Sequence, residues 1–495
     1  MNRLILLLIP VCFLIISGCQ SDPEIIFQSS VTEEYRPNYH FTPESGWMND
    51  PNGLVYLDDE YHLFYQFYPD STVWGPMHWG HAVSRDLVNW ESLPTALYPD
   101  SLGYIFSGSA VFDAENSSGL GTKENPPLVA IFTHHNAEEA ETSSDTFQNQ
   151  SIAFSLDKGR TWEKYSQNPV LKNPGIRDFR DPKVSQITNP DGSKSWIMTL
   201  AVLDHINFYS SPDLKNWSLL SEFGKTIGAH GGVWECPDLL PFKTPAGEQK
   251  WVLLVSINPG GPQNGSATQY FIGDFKNGEF TPDDTMIRWI DYGPDNYAGV
   301  TWSNLPTEQN RTLFIGWMSN WLYANVVPTK AWRSAMTVPR ALSLFDVDGT
   351  LLLKSAPAIE LEKLRSEEFE INQTEAGLPS EAVELTAEVK SDSFSMTLSN
   401  ELGESVIISK ENGLVSIDRR NAGKSDFQRD FAAMHSAPMS WEAKEIRIFL
   451  DASSIELFIN DGELVMTSIL FPTSPWKNVA VSESLNSLKI YNLKK

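Results

Sequence analysis

The chain has 495 residues, 41% of them hydrophobic and 20% charged, which is too long for one ordinary domain and apolar enough for a sizeable core. Acidic residues outnumber basic ones 63 to 37, a formal charge of -26, so a polyphosphate is repelled and nucleic acid is excluded as a partner. A neutral polymer meets no such barrier, and the 16 Trp, 15 Tyr and 26 Phe suit both strands and the apolar faces of sugar rings.

At the N-terminus Arg3 precedes an apolar run, Leu4 to Ile16, followed by Ser17-Gly18-Cys19. The run is too short to span a bilayer comfortably and has the layout of a secretory signal. Ile16-Ser17-Gly18-Cys19 resembles a bacterial lipobox, which implies a signal peptide over 1–18 and a lipid anchor on Cys19. Gln20 stands where inner-membrane lipoproteins commonly carry aspartate, so the resemblance implies an exported lipoprotein held at the outer membrane. Residues 19–32 are expected to form a polar tether. Of the three cysteines, Cys12 leaves with the signal and Cys19 is acylated, so Cys236 has no disulfide partner within the mature chain. No paired Cys or clustered His/Cys spacing suggests structural zinc.

From about 33 to 342 the chain reads as short strands between turns, with no sustained helical period, so the fold class is all-β. Leu54-Val55-Tyr56-Leu57 and Tyr61 to Phe67 form a hairpin by composition, and similar runs recur at Trp196 to Val202 and Trp251 to Val255. A weak repeat, Ser84-Arg85-Asp86-Leu87-Val88-Asn89-Trp90, returns as Ser211-Pro212-Asp213-Leu214-Lys215-Asn216-Trp217 and more loosely over Ser155 to Trp162. A Ser-x-Asp turn leading to a buried Trp at blade-sized intervals suggests a propeller. Residues 343–362 read as a connector. The segment 363–495 reads as a β-sandwich, with Ile446 to Asp451 and Ile455 to Ile459 pairing as a hairpin with one wet face.

Three acids sit in constrained words. Trp47-Met48-Asn49-Asp50-Pro51-Asn52-Gly53 places Asp50 in a turn, where Pro51 restricts its backbone and Gly53 permits a reversal. Phe179-Arg180-Asp181-Pro182 and Trp234-Glu235-Cys236-Pro237-Asp238 hold the other two. Asn49 and Asn52 can donate to an Asp50 anion, the apolar flanks of Glu235 favour a protonated carboxyl, and Arg180 favours an ionised Asp181. Paired carboxyls of unlike environment are what glycoside hydrolysis requires. Cys236 lacks a histidine partner and is expected to pack, and His78 and His81 are expected to hydrogen-bond structurally rather than bind a metal.

With all three words in this order, the chain resembles glycoside hydrolase family 32, the fructan and sucrose hydrolases, over nearly all of residues 38–495. The resemblance implies a five-bladed β-propeller over 33–342 followed by the β-sandwich. It implies Asp50 as nucleophile, Glu235 as acid/base and Asp181 as transition-state stabiliser, with no cofactor and no metal. It further implies substrate contacts from Asn49, Gln66, Trp74, Phe106, Ser107, Arg180, Tyr297 and Trp321. The expected substrate is a fructan, fructo-oligosaccharide or sucrose, cut by an exo-acting retaining enzyme that releases fructose. Endo cutting, a surface lipoprotein that binds glycan without cleaving it, and an arabinan-cleaving propeller are the competing readings. Linkage preference and oligomeric state are not legible in the sequence.

Overall fold

Runs rich in Val, Ile, Phe, Tyr and Trp, broken by Gly, Asn and Asp, fold here into strands almost throughout. The structure, a computed structural model, describes residues 33–142, 144–189 and 191–495; the expected signal peptide, Cys19 and the tether to residue 32 lie outside them. Five antiparallel sheets form the blades of a propeller, and two six-stranded sheets form a β-sandwich behind it. The first blade runs outward through Gly46–Leu57, Glu60–Tyr68, His78–Ser84 and Glu91–Leu97. The second begins with Tyr104–Phe112, the third with Phe179–Thr188, the fourth with Val233–Lys243 and the fifth with Tyr297–Thr301. These five inner strands surround the axis. The ring is sealed by Trp332–Arg333, which lies parallel to the start of the first strand, Gly46 opposite Trp332 and Trp47 opposite Arg333.

The weak sequence repeat marks one corner of the first three blades, between the third strand and the fourth. In each copy a Ser hydroxyl caps the turn, donating to Asp86, Asp157 or Asp213. The Trp that follows donates its indole N–H back into the same turn, Trp90 to Leu87 O at 3.1 Å, Trp162 to Gly159 O at 3.0 Å and Trp217 to Leu214 O at 3.1 Å. The rings were expected to be buried but are half-buried, because each closes an outer corner that faces solvent on one side.

The stretch 343–362 is not a connector. Arg340–Val347 and Thr350–Pro357 pair as the outer hairpin of the fifth blade, and Ile359–Leu364 is a 3-10 helix. Asp348 and Gly349, both with positive φ, make the tight turn that its Asp-Gly pair announces.

The sandwich packs Arg365–Ile371, Leu485–Leu493, Val383–Val389, Glu445–Asp451, Ser454–Ile459 and Leu464–Ile469 against a second sheet built around Phe394–Ser399 and Ser405–Glu411. The hairpin expected to have one wet face is dry on both. Its outward side chains Phe449 and Phe458, with Val465, meet Tyr39, Val338 and Leu361, and Glu456 is buried by Arg340 and His40. His40 donates to Asp451 at 2.8 Å and Glu456 at 2.9 Å. Burial lowers the imidazole's proton affinity, but those two carboxylates outweigh it and lift the pKa to about 9. Arg340 also meets Asp291 at 2.9 Å, and Arg419 meets Asp295 at 2.7 Å. Removing one member of such a pair leaves a buried charge, at a cost of about 3–5 kcal/mol.

Candidate active site

Each inner strand loses its pairing register near its start. The breaks fall between Met48 and Pro51, Ile105 and Gly108, Arg180 and Lys183, Glu235 and Asp238, and Tyr297 and Val300. A bulge leaves residues unpaired and re-aims their side chains. Asp50, Phe106, Ser107, Asp181 and Ala298 lie inside the breaks, and Glu235 and Tyr297 at their edges. The Asp50 word is therefore a bulged strand rather than the expected turn, since both flanks remain paired to Glu60–Tyr68. Asp181, Cys236 and Ala298 take φ of 62°, 46° and 52°, a region that costs a residue with a side chain about 1–2 kcal/mol. At these three positions the strain helps aim the side chains around the acids.

Asp50, Asp181 and Glu235 face one cavity of about 320 Å³. Asp50 Oδ1 accepts from Asn49 Nδ2 at 2.9 Å, and Oδ2 accepts from Ser107 Oγ at 2.7 Å. Asn49 is itself oriented by Trp47 Nε1 at 2.7 Å. Asn52, the other expected donor, bonds the Asp50 main-chain carbonyl instead, at 3.0 Å. Burial, and then the charge of Glu235, push the Asp50 pKa above the usual carboxylate value, against the bonds from Ser107, Asn49 and Cys236.

Asp181 Oδ2 accepts from the backbone N–H of Cys236 at 3.1 Å, and the Cys236 thiol lies 3.5 Å from Asp50 Oδ2 and 3.6 Å from Asp181 Oδ2. Arg180 favours the ionised form of Asp181 as expected, but it is outweighed. Burial dominates and, with Glu235 and Asp50 adding repulsion, lifts Asp181 to about 7 despite the guanidinium. Arg180 is turned elsewhere: Nη1 donates to Asp178 at 2.6 Å, while Nε and Nη2 donate to Glu235 Oε1 at 3.2 and 3.0 Å. The surroundings of Glu235 are thus less apolar than its sequence neighbours suggest, because Tyr297 OH also donates to its Oε2. Cys236 is buried and its thiol is pushed well above its ordinary pKa, which leaves it a packing residue rather than a nucleophile.

Asn49, Gln66, Trp74, Phe106, Ser107, Arg180 and Trp321 line the same cavity. Gln66 is fixed by donating to Ile105 O at 3.0 Å. Trp321 stacks on Trp47 with centroids 5.8 Å apart, and Trp74 stands half out at the rim, edge-on to Phe106 at 6.1 Å. Tyr297 is behind the wall, reaching the site only through Glu235. The sequence reading missed His135, Ala140, Phe147, Gln148, Arg177 and Asp178, which complete the rim. Arg177-Asp178 directly precedes Phe179-Arg180-Asp181 and could have been taken with it; the others come from the second blade and carry no local signal. Phe106 stacks on His135 at 4.2 Å, and burial, with Arg180 nearby, lowers that imidazole to about 4, so it is neutral at working pH. His78 and His81 diverge, the first to Pro76 O at 2.9 Å and the second to His62 at 3.0 Å.

A model of the glycosyl hydrolases family 32 N-terminal domain matches residues 40–355, and one of the family's C-terminal domain matches residues 360–494. The chain belongs to glycoside hydrolase family 32. This family 32 chain is 44% identical over 484 residues to a levanase of Bacillus subtilis, covering 93% of itself and 70% of that relative. It is 36% identical over 499 residues to an extracellular exo-inulinase of Aspergillus awamori, covering 91% of itself and 92% of that relative. The crystal structure of exo-inulinase from Aspergillus awamori matches with a TM-score of 0.84 at 33% identity, over 94% of this chain and 99% of that one. A β-fructofuranosidase from Schwanniomyces occidentalis complexed with fructosyl-erythritol matches with a TM-score of 0.82 at 32% identity, over 94% and 98%. The family 32 chain is a glycoside hydrolase of the β-fructofuranosidase type, which sets aside the non-cleaving glycan binder and the arabinan-cleaving propeller.

Proposed function

We propose that this enzyme is a retaining, exo-acting fructan hydrolase in which Asp50 is the nucleophile, Glu235 the acid/base and Asp181 the stabiliser of the transition state. In the first step an Asp50 oxygen attacks the anomeric carbon of a terminal fructosyl unit while its bond to the leaving oxygen breaks and Glu235 protonates that oxygen. In the second step Glu235 takes a proton from water, which displaces the fructosyl unit from Asp50 and frees fructose. Burial and mutual repulsion raise the proton affinity of Asp50 and Asp181 above the ordinary carboxylate value. Asp181 is suited to binding ring hydroxyls that polarise as positive charge develops on the sugar.

The observation that carries the reading is the convergence of all three acids on one cavity of about 320 Å³, near the small end of ligand sites. A chamber of that size, walled by Asn49, Gln66, Arg180 and the aromatic rim, suits one terminal ring better than the middle of a polymer. The levanase and exo-inulinase relatives support levan or inulin as substrate, and an invertase of Schizosaccharomyces pombe, 45% identical over 323 residues, supports sucrose as well.

Early products from levan, inulin and sucrose test this. Free fructose should dominate from the first minutes, whereas early oligosaccharides with little monomer would mean endo cutting. Asp50→Ala should abolish turnover, and a near-normal rate would remove the nucleophile assignment. The lipobox-like N-terminus supports attachment to the outer membrane through Cys19. Cys19→Ala should then release the enzyme from the membrane fraction, and unchanged partitioning would reject the anchor.

A further inference from the structure

Below the three acids, on the propeller axis, lies a charged pair that the chemistry above does not use. Lys183 Nζ meets Asp238 Oδ2 at 2.9 Å and donates to Thr301 O at 2.6 Å. The same Asp238 oxygen accepts from Thr301 N at 2.9 Å and Thr301 Oγ1 at 2.7 Å. All three residues are buried. Lys183 belongs to the third inner strand two residues beyond Asp181, Asp238 to the fourth just beyond Glu235, and Thr301 to the fifth just beyond Tyr297. The trio therefore ties together the three strands that carry the stabiliser, the acid/base and the hydroxyl that holds the acid/base.

Stability alone does not explain it. A buried ion pair recovers its desolvation only when every lone pair is satisfied, and among the described residues Asp238 Oδ1 has no hydrogen-bond partner. Hydroxyls span the neighbouring gaps without charge: Ser109 Oγ donates to Pro182 O at 3.0 Å, and Ser303 Oγ to Ala110 O at 2.8 Å. The charged trio sits immediately behind the register breaks that leave Asp181 unpaired and end regular pairing at Glu235, so the ladder alone does not fix those carboxyls. We infer that Lys183, with Asp238 and Thr301, is a positioning residue that sets the placement of Asp181 relative to Glu235 and Tyr297. This rests on the roles proposed above for those acids.

The test is Lys183→Met combined with Asp238→Asn, which removes both charges together. If the trio positions the acids, the folded double variant loses at least about tenfold in kcat, since misplacement near 1 Å can cost on the order of 100-fold. KM should change less than about twofold, and the limbs of the kcat–pH curve should be displaced, because the spacing of the carboxyls sets their mutual repulsion. Parental kcat per folded molecule with unmoved limbs would overturn the inference. Thr301→Val, which removes only the hydroxyl, answers the same question if the double variant does not fold: a smaller kcat loss with limbs displaced supports the clamp, and a parental profile rejects it. Glu235→Gln separates the two layers. If it is inactive while the clamp variants are parental, the clamp alone falls; if it turns over fructan normally, the acid/base assignment falls and the clamp with it.

Discussion

Asp181→Asn should make the enzyme more stable at neutral pH while crippling it. An ordinary unfolded aspartate has a pKa near 3.9, and burial among Glu235 and Asp50 lifts the folded value to about 7. A raised folded pKa means that the stability contribution is fully present below about pH 4 and is lost as pH rises through about 7. The interval corresponds to roughly 4 kcal/mol at 1.36 kcal/mol per pKa unit. For the unit Tyr35–Lys495, at about 2.1 cal/mol/K per residue, that is near 4 °C in Tm. Asparagine is close in shape and its amide oxygen can still accept from Cys236 N. Thermal unfolding of parent and variant in matched buffers from pH 4 to pH 8 isolates the charge: the variant's advantage should be absent at pH 4 and grow to about 4 °C by pH 8. A Tm difference that stays constant across that range would refute the reasoning. On a fructan the same variant should lose mainly kcat, because the lost interaction strengthens only in the transition state.

Ser107→Ala removes a charge-assisted donor from Asp50 Oδ2 and should move the acid limb of kcat/KM upward by about one to two pH units, read from a pH–rate profile; an unmoved limb would show that Asp50 does not report there. His40 is lifted to about 9 by Asp451 and Glu456, so its contribution is full below about pH 6.5 and lost as pH rises through 9. His40→Gln should flatten the decline in Tm across that window, and parallel curves for parent and variant would contradict it. Trp74→Ala at the exposed rim should raise KM about two- to tenfold with kcat nearly constant, as expected for a ring that contributes binding shared by ground and transition states.

The chemistry was legible because it is written in short words whose order the fold cannot scramble. Asp50, Asp181 and Glu235 each stand beside residues that restrict the backbone, and all three reach one cavity. What the sequence concealed is environment. A register break such as that between Glu235 and Asp238 has no compositional signature, since Cys236 adopting φ of 46° is imposed by the blade around it. Arg180 adjoins Asp181 in sequence and does favour its anion, but burial and the convergence of Glu235 and Asp50, which no local word announces, reverse the net shift. The outer hairpin of the fifth blade was hidden by its mixed polar texture, although Asp348-Gly349 signalled its turn. The wet face assigned to the sandwich hairpin was dried by Tyr39 and Leu361, which lie far away in sequence.

The seal made by Trp332–Arg333 on the first blade has a consequence for how the enzyme is born. Asp50 is among the first described residues to leave the ribosome, yet the strand that carries it keeps an open edge until Trp332 is made. At about 5–20 residues per second, that interval is roughly 15–60 s, during which an unpaired edge next to Trp47 and Met48 is open to mispairing. Tyr297, which holds Glu235, arrives almost as late. A message cut short before Trp332 leaves the ring unsealed, with the outer hairpin of the fifth blade still to come, so activity certifies that translation passed the seal.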